Sequence, residues 1–313
     1  MRALVTGGAG FIGSHLCDAL IARGDQVWCV DNLCLGRVEN IAQLQGNARF
    51  QFCKLDVLDR EGLARLFKEA SFDIVYHLAA NSDIERGGQD HQIDLSLNFL
   101  TTVSVLEAMR AAGVKRIFFA STSAVFGEAH VRLHEESGPL RPISFYGASK
   151  LAAESYISVF VNNYGFRAWI LRFPNVVGER ATHGAVYDFV GRLRQSPARL
   201  KVLGNGAQTK PYVYVADLVE AILCVVAQDG EPLAVYHAGN HSLTSVREIA
   251  AIVVEEMGLA GIPIEFTSSD RGWVGDVPCF NYDFSKIEAL GWRPSCDSTQ
   301  SVRRAVRRML GKE

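Results

Sequence analysis

Short apolar, β-prone runs alternate with longer segments of helical spacing over the first 120 residues. Ala3-Leu4-Val5 gives way to glycines and then to an amphipathic segment from about Ser14 to Ala22. Further apolar runs follow at 26–30, 50–54, 74–77 and 117–119, and helical periodicity is clearest over 61–68 and 98–112. Alternation of this kind predicts an α/β fold, a doubly wound parallel sheet with helices on both faces, because each crossover helix must bury its apolar stripe. Ligands of such sheets sit beyond the carboxyl ends of the strands, where strand order reverses. Beyond residue 172 the pattern loosens. Pro174, Pro197, Pro211, Pro232, Pro263, Pro278 and Pro294 interrupt short strands and helices such as the one predicted over 246–257. With no Gly/Ser-rich linker, residues 173–313 read as a smaller mixed α/β region, some segments of which return to the domain formed by 1–172.

Composition excludes more than it selects. Of 313 residues, 48% are hydrophobic and 21% charged, and 32 Lys and Arg against 34 Asp and Glu leave a formal charge of −2. That balance gives no electrostatic footprint for nucleic acid or an anionic membrane. No apolar stretch approaches the roughly 20 residues of a bilayer span. The run Arg303, Arg304, Arg307 and Arg308 reads as the solvated face of a terminal helix. Seven cysteines are scattered without a CxxC pair, so neither a zinc site nor a disulfide framework is expected. Free thiols, and a first strand running straight into a glycine motif with no room for a leader, point to the cytoplasm.

The chemistry begins in that motif. Thr6-Gly7-Gly8-Ala9-Gly10-Phe11-Ile12-Gly13 follows the first strand and opens the first helix. Gly7 allows a tight turn, Gly10 lets the backbone approach a pyrophosphate, and Gly13 lets helix and strand pack closely. The helix N-terminus then offers amides and a positive dipole to phosphates. Asp31, at the end of the second strand, can accept from adenine-ribose hydroxyls and would repel a 2′-phosphate, which favours NAD over NADP. Tyr146-Gly-Ala-Ser-Lys150 is YxxxK, whose ends share a helix face. A phenol titrating near 10 becomes a base at neutral pH only if about 4 kcal/mol of differential stabilisation is supplied, and an ammonium alongside contributes to that. Ser121-Thr122-Ser123 closes a strand upstream, where a hydroxyl could relay the proton.

TGGAGFIG, HLAA (77–80), STSAVFG (121–127) and YGASK (146–150) together resemble the extended short-chain dehydrogenase/reductase superfamily, and within it the NAD-dependent nucleotide-sugar epimerases and dehydratases, closest to those acting on UDP-glucose. The likeness continues through RFPNVVG (172–178), YVYVAD (212–217), RGWVGD (271–276) and LGWRP (290–294). It implies a Rossmann domain followed by a sugar-nucleotide domain. Gly7, Gly10, Phe11, Ile12, Gly13, Asp31, Asn32, Asp56, Val57, Leu78, Ala79, Ala80, Asn98 and Phe173 match positions that surround NAD in the family. Tyr146 matches the catalytic base, Lys150 its partner on the nicotinamide ribose, and Thr122 the catalytic hydroxyl. The substrate, a nucleotide-diphosphate sugar, is expected to meet Ser82, Asp83, Ser123, Asn175, Lys210 and Arg271. Lys210-Pro211 replaces the usual Arg-Asp, and Lys cannot reproduce bidentate phosphate geometry.

The implied reaction is oxidation of the sugar at C4 and return of hydride to the other face of the 4-keto intermediate, a 4-epimerisation. Related dehydratases carry Asp-Glu after the catalytic Thr, and uronate decarboxylases carry Glu at the second of these places. Here Ser123 and Ala124 stand there, which leaves a uronate 4-epimerase, a 2-epimerase and a 4-keto-sugar reductase as alternatives, with a non-catalytic dinucleotide sensor more distant. Similar enzymes form homodimers through two helices, here 98–112 and 144–163. His77 reads as structural, Asp83 as a sugar contact or a helix cap, and Asp217 as the cap of a helix starting at Leu218.

Overall fold

The apolar runs pair side by side because both of their faces are buried. The strands are β1 (Arg2–Thr6), β2 (Gln26–Asp31), β3 (Phe50–Lys54), β4 (Ile74–His77), β5 (Arg116–Thr122), β6 (Arg167–Phe173) and β7 (Leu233–His237). They form one seven-stranded sheet ordered β7-β6-β5-β4-β1-β2-β3 in a computed structural model that describes residues 1–128, 131–267 and 281–313. The pairs β2–β3, β1–β2, β1–β4 and β4–β5 are all parallel, with Thr6 opposite both Val30 and His77. Strand order therefore reverses between β1 and β4, the place where a doubly wound sheet opens a crevice. The expected α/β sheet is the one observed.

Helices α1 (Phe11–Ala22), α2 (Arg60–Glu69), α3 (Thr101–Ala112) and α4 (Phe145–Tyr164) make the crossovers. Local chemistry sets their ends. The Asp59 carboxylate accepts from the Gly62 amide at 3.0 Å to start α2, and the Ser144 hydroxyl accepts from Gly147 at 3.0 Å to start α4. Gly113 and Gly165 end α3 and α4 with φ of +74° and +66°. The regular part of α3 begins at Thr101, later than the 98–112 periodicity implies. The preceding Leu95–Leu100 is a π-helical turn, and within it Asn98 is 1% exposed and bonded inside the protein. Hydrophobic spacing does not register such an inserted residue.

The contact pattern separates two units: Met1–Gly127, Ser137–Arg172 and Ile222–Tyr236 in one; Glu128–Glu136, Phe173–Ala221 and His237–Glu313 in the other. The core of the first gathers Leu4, Val30, Val75, Phe119, Ile157 and Ile170 from the sheet and its helices. The second has its own core around Val190, Leu200, Ile249, Val253 and Val302. Its helices include α5 (Ala185–Gln195), α6 (Val215–Val226), which crosses the unit boundary, α7 (Val246–Glu256) and α8 (Ser298–Met309). The C-terminal arginines do more than face solvent: Arg303 and Arg307 bond Glu256 of α7 at 2.6 and 3.1 Å. Asp217 does not cap a helix. Strand Tyr212–Tyr214 runs directly into α6, which begins at Val215, so Asp217 lies inside the first turn, 3% exposed.

Within the first unit one ion pair fastens three elements. Arg172 of β6 grips Glu154 of α4 through Nη2 and Nε at 2.6 and 3.0 Å, and the Ser121 hydroxyl of β5 donates to the same carboxylate. Both charged side chains are under a tenth exposed. Removing one partner strands the other in a poorly solvated place. Arg172→Leu is expected to cost about 3–5 kcal/mol in urea denaturation, and Arg172→Lys, which restores charge without the fork, less.

Candidate active site

The turn after β1 is shaped by what cannot fit there. Gly7 has φ +70° and its amide donates to the Val30 carbonyl at 2.8 Å, tying the loop to β2. A Cβ at Gly7 would sit 2.8 Å from the Ala79 nitrogen, and one at Gly13 would strike the Gly7 carbonyl. The loop thus passes flush against the end of β4, and α1 starts flush against the loop. Gly10 is the N-cap of α1, with no side-chain cap and no acidic residue in the first turn. Uncapped leading amides and a positive dipole, approached only by glycine backbone, fit the diphosphate of NAD.

Asp31 stands at the carboxyl end of β2. Its Oδ2 accepts from the Ala9 amide at 3.0 Å and its Oδ1 from the Leu33 amide at 2.8 Å. Burial raises its pKa while those two amides hold it down. Besides offering lone pairs to a ribose, this carboxylate braces the glycine loop, a role its position in the sequence does not announce. Asn32 donates to Asp56 at 2.9 Å, and Asp56 accepts from the Leu58 amide at 2.8 Å. The structure thereby gathers Asp31, Asn32, Asp56 and buried Val57 beyond β2 and β3. Leu78 and Ala79 hang from Thr6, their amides donating to its carbonyl and hydroxyl at 3.1 and 3.3 Å, and Ala80 continues that segment.

His77 connects this edge to the catalytic side. Thr102 donates to the Asn98 carbonyl at 2.8 Å, so it accepts from His77 Nε2 at 3.0 Å. His77 Nδ1 then accepts from the Thr6 hydroxyl at 2.7 Å. Every hydrogen has one place to go, which fixes the neutral tautomer. Burial, and then the Lys150 charge, lower its pKa to about 3. His77 is structural, as its strand-end position suggested.

The side chains expected to react lie on β5 and α4. The Thr122 Oγ1 accepts from the Ala124 amide at 3.1 Å, which leaves its own hydrogen for the Tyr146 phenol to which it bonds. Lys150 is 3% exposed, donates to the Ala120 carbonyl at 2.9 Å and rests 4.8 Å from the Phe119 ring centre. Burial lowers its pKa to about 8, with Glu154 and Asp94 opposing. Burial pushes Tyr146 up to about 12, against the Thr122 hydrogen bond. In the chain alone at neutral pH the amine is therefore charged and the phenol protonated. Gly147 completes the seat: a Cβ there would lie 2.5 Å from the Ala124 carbonyl, so only glycine lets α4 approach the turn Ser123–Phe126.

The remaining expected residues are distributed less tightly. Asp83 caps the helix Ile84–Gln89 through the Arg86 amide at 3.0 Å, Ser82 is exposed, and Ser123 is 7% exposed. Asn98 is buried, its amide donating to Asp94 and Ser149 at 2.9 and 3.1 Å. Phe173, Asn175 and Lys210 belong to the second unit. Asn175 opens a strand paired with Tyr212–Tyr214, and Lys210 is buried in a strand paired with Thr244–Ser245. Arg271 lies outside the described residues. Sequence reading overlooked Glu154, Arg172 as its partner, and Asp94. Glu154 had a signal, since it follows Lys150 by one helical turn.

A buried ammonium near a hydroxyl-bonded phenol, at the carboxyl edge of a sheet whose first turn suits a pyrophosphate, equips an enzyme to move hydride and proton together at a carbon–oxygen bond. The model of the NAD dependent epimerase/dehydratase family matches residues 3–239, and the chain belongs to that family. The UDP-glucose 4-epimerase of Mycolicibacterium smegmatis is 32% identical over 311 residues, covering 98% of this chain and 97% of that protein. The crystal structure of Thermus thermophilus UDP-glucose 4-epimerase in complex with NAD is 35% identical, with a TM-score of 0.88 over 99% of each chain. That of Thermotoga maritima UDP-glucose 4-epimerase with UDP-glucose is 31% identical, with a TM-score of 0.89 over 99% of each chain. Other relatives include dTDP-D-glucose 4,6-dehydratases and UDP-glucuronic acid decarboxylases.

Because His77 is charged in the unfolded chain below about pH 6.5 but stays neutral in the fold until about 3, the unfolded state binds the extra proton between those values. Stability is complete above pH 6.5 and falls with acidification, by about 1.4 kcal/mol per pH unit from this group. Urea midpoints from pH 7 to 5 should show a shallower decline in His77→Gln than in the wild type, although the variant starts lower.

Proposed function

We propose that the chain is an NAD-dependent nucleotide-sugar 4-epimerase of the UDP-glucose/UDP-galactose type. The observation that carries this is the Thr122, Tyr146 and Lys150 set with no carboxylate in the next two places. Ser123 and Ala124 begin the turn that seats α4 and offer a hydroxyl and a methyl. Elimination of water needs an added acid and base, and neither residue supplies them. Reversible oxidation needs only a proton acceptor and a hydride acceptor.

Bound NAD supplies the hydride acceptor, which is also the donor on return, and a positive ring. Tyr146 takes the proton from the sugar 4-hydroxyl and gives it back, and Thr122 bridges phenol and hydroxyl so that the proton has a short path. Lys150, using one of its three N–H donors on Ala120, keeps two for the nicotinamide ribose and the phenol side. Asp31 selects the unphosphorylated ribose. Ser82, Asp83 and Ser123 serve the sugar, and Asn175, Lys210 and Arg271 the diphosphate; in this reading residues 173–313 hold the nucleotide sugar and 1–172 the cofactor.

The protein acts as a homodimer. Tyr156 and Val159 are 45% and 50% exposed one turn apart on α4, and Leu100 is 37% exposed just before α3. Phe99 meets Tyr156 edge-on at 4.8 Å, joining the π-turn that precedes α3 to α4 in one apolar face. Large apolar side chains clustered in this way suit a helical interface between copies. No helix among the described residues is long and apolar enough to cross a membrane. The described cysteines are free thiols, which suits the cytoplasm.

Incubation with NAD⁺ and either UDP-glucose or UDP-galactose, followed by the anomeric proton signals in NMR, is expected to give the same mixture from both sides. Tyr146→Phe should lower kcat by about 10²- to 10⁴-fold with NAD still bound; wild-type turnover in that variant sinks the mechanism. Sedimentation should show a dimer for the wild type and a monomer for Val159→Asp, and a monomeric wild type at micromolar concentration overturns the interface.

A further inference from the structure

Asp94 is a buried acid that the proton path does not use. It precedes the π-turn Leu95–Leu100 and is 1% exposed. Its Oδ1 accepts from the side-chain amides of Asn81 and Asn98 at 2.8 and 2.9 Å. Its Oδ2 has no hydrogen-bond partner among the described residues. A Cβ at Gly87 would collide with that oxygen, so glycine there is what lets helix Ile84–Gln89 close over it.

From this acid a chain of hydrogen bonds leads to the reacting helix. The Asn98 amide also donates to Ser149 Oγ at 3.1 Å, and that hydroxyl donates to the Tyr146 carbonyl at 2.8 Å. The Asn98 oxygen accepts from the Asn81 amide at 2.7 Å, fixing the segment that leads to Ser82 and Asp83. A side chain needed only as an acceptor for Asn81 and Asn98 could be neutral. A buried carboxylate with one oxygen unpaired carries a larger desolvation cost than a neutral amide of the same shape. Its charge also acts across poorly screened surroundings. The charged groups that act on it are Lys150 on α4 and Asp83 at the head of Ile84–Gln89, and it acts in turn on Tyr146. Glu154, paired with Arg172, also acts on Lys150, ahead of Asp94, and His77 beside Lys150 is neutral.

We propose that Asp94 is a positioning residue for the reacting pair: one oxygen seats Asn81 and Asn98, and its charge sets the pH window in which Lys150 is an ammonium while Tyr146 exchanges its proton. The proposal rests on the reading of Tyr146 and Lys150 as the reacting pair. An ionised Asp94 favours the ammonium and opposes the phenolate, so it moves both titrations upward. Its role is to stop Lys150, already brought low by burial, from losing its charge at working pH.

Asp94→Asn tests this, because the amide oxygen can take over both accepted hydrogen bonds and the charge is removed, with an NH₂ replacing the oxygen that has no partner. Both limbs of the kcat-against-pH profile should move acidward by about one unit, with a urea midpoint near that of the wild type. Independently of turnover, NMR of tyrosine isotopically labelled at Cζ in the NAD-loaded, sugar-free enzyme should show the same downward shift of the Tyr146 midpoint, assigned by difference from Tyr146→Phe. Asp94→Leu, which loses the hydrogen bonds as well, should lower kcat beyond the Asn variant. An unmoved Tyr146 midpoint in Asp94→Asn overturns the proposal, as does a loss of kcat with unchanged pH dependence. Wild-type turnover in Tyr146→Phe would instead overturn the catalytic reading, while the Cζ shift still reports on Asp94.

Discussion

The first unit is organised around one costly act, the burial of the Lys150 ammonium. An isolated ammonium in such a place would give up its proton. The fold keeps it charged at neutral pH by placing the Ala120 carbonyl at 2.9 Å, the Phe119 ring beneath it, and the carboxylates of Asp94 and Glu154 where their charges reach it. Each of these partners then needs its own compensation. Glu154 takes Arg172 and Ser121; Asp94 takes Asn81 and Asn98. Lys150 and Arg172 provide as many basic groups as Asp94 and Glu154 provide acidic ones, so the buried cluster is matched in formal charge. His77 answers the same constraint from the other side, remaining uncharged because burial and the ammonium both forbid a second cation.

This arrangement explains why the sheet, the loop and the reacting helix cannot be varied independently. Asn98 lies between Asp94 and Ser149, and its carbonyl receives Thr102, which receives His77, which receives Thr6. Thr6 is the last residue of β1 and holds the amide of Ala79 against Gly7. One connected set of hydrogen bonds therefore runs from the phosphate loop through the end of β4 to the first turn of α4. A shift at the glycine loop would strain this set along its length, because each hydrogen in it has one acceptor.

What could be read from the sequence was whatever is local. The strands β1 to β5 announced themselves by short apolar runs, the loop by glycines at fixed offsets, and the reacting helix by a tyrosine and a lysine four apart. Within the candidate site, Gly7, Asp31, Thr122 and Tyr146 stand at or next to the ends of elements, where only certain side chains can stand, and Lys150 follows Tyr146 by one turn of α4. What stayed hidden is the compensation. Ser121 and Glu154, or Asn98 and Ser149, are joined across 33 and 51 positions, and no periodicity carries that pairing. The π-turn hid Asn98 inside an ordinary helical pattern, and the direct passage from Tyr214 into α6 placed Asp217 inside a helix where an N-cap was expected.

The two protonation states also say when the chemistry is allowed. A phenol held up to about 12 is no base at neutral pH, and the distance down to 7 corresponds to roughly 7 kcal/mol. Thr122 already favours the phenolate, and Asp94 opposes it. What is missing is positive charge close to the phenol, and Lys150 is fastened to Ala120 rather than spent on it. NAD⁺ held here would supply such a charge, and the two remaining Lys150 donors would be free to hold its ribose. In the proposed mechanism, oxidised NAD would thus favour the Tyr146 phenolate more than reduced NAD would. Such a coupling would have the sign an epimerase requires: the phenol would be most basic when hydride is to be removed from the sugar, and less basic when hydride and proton are to be returned.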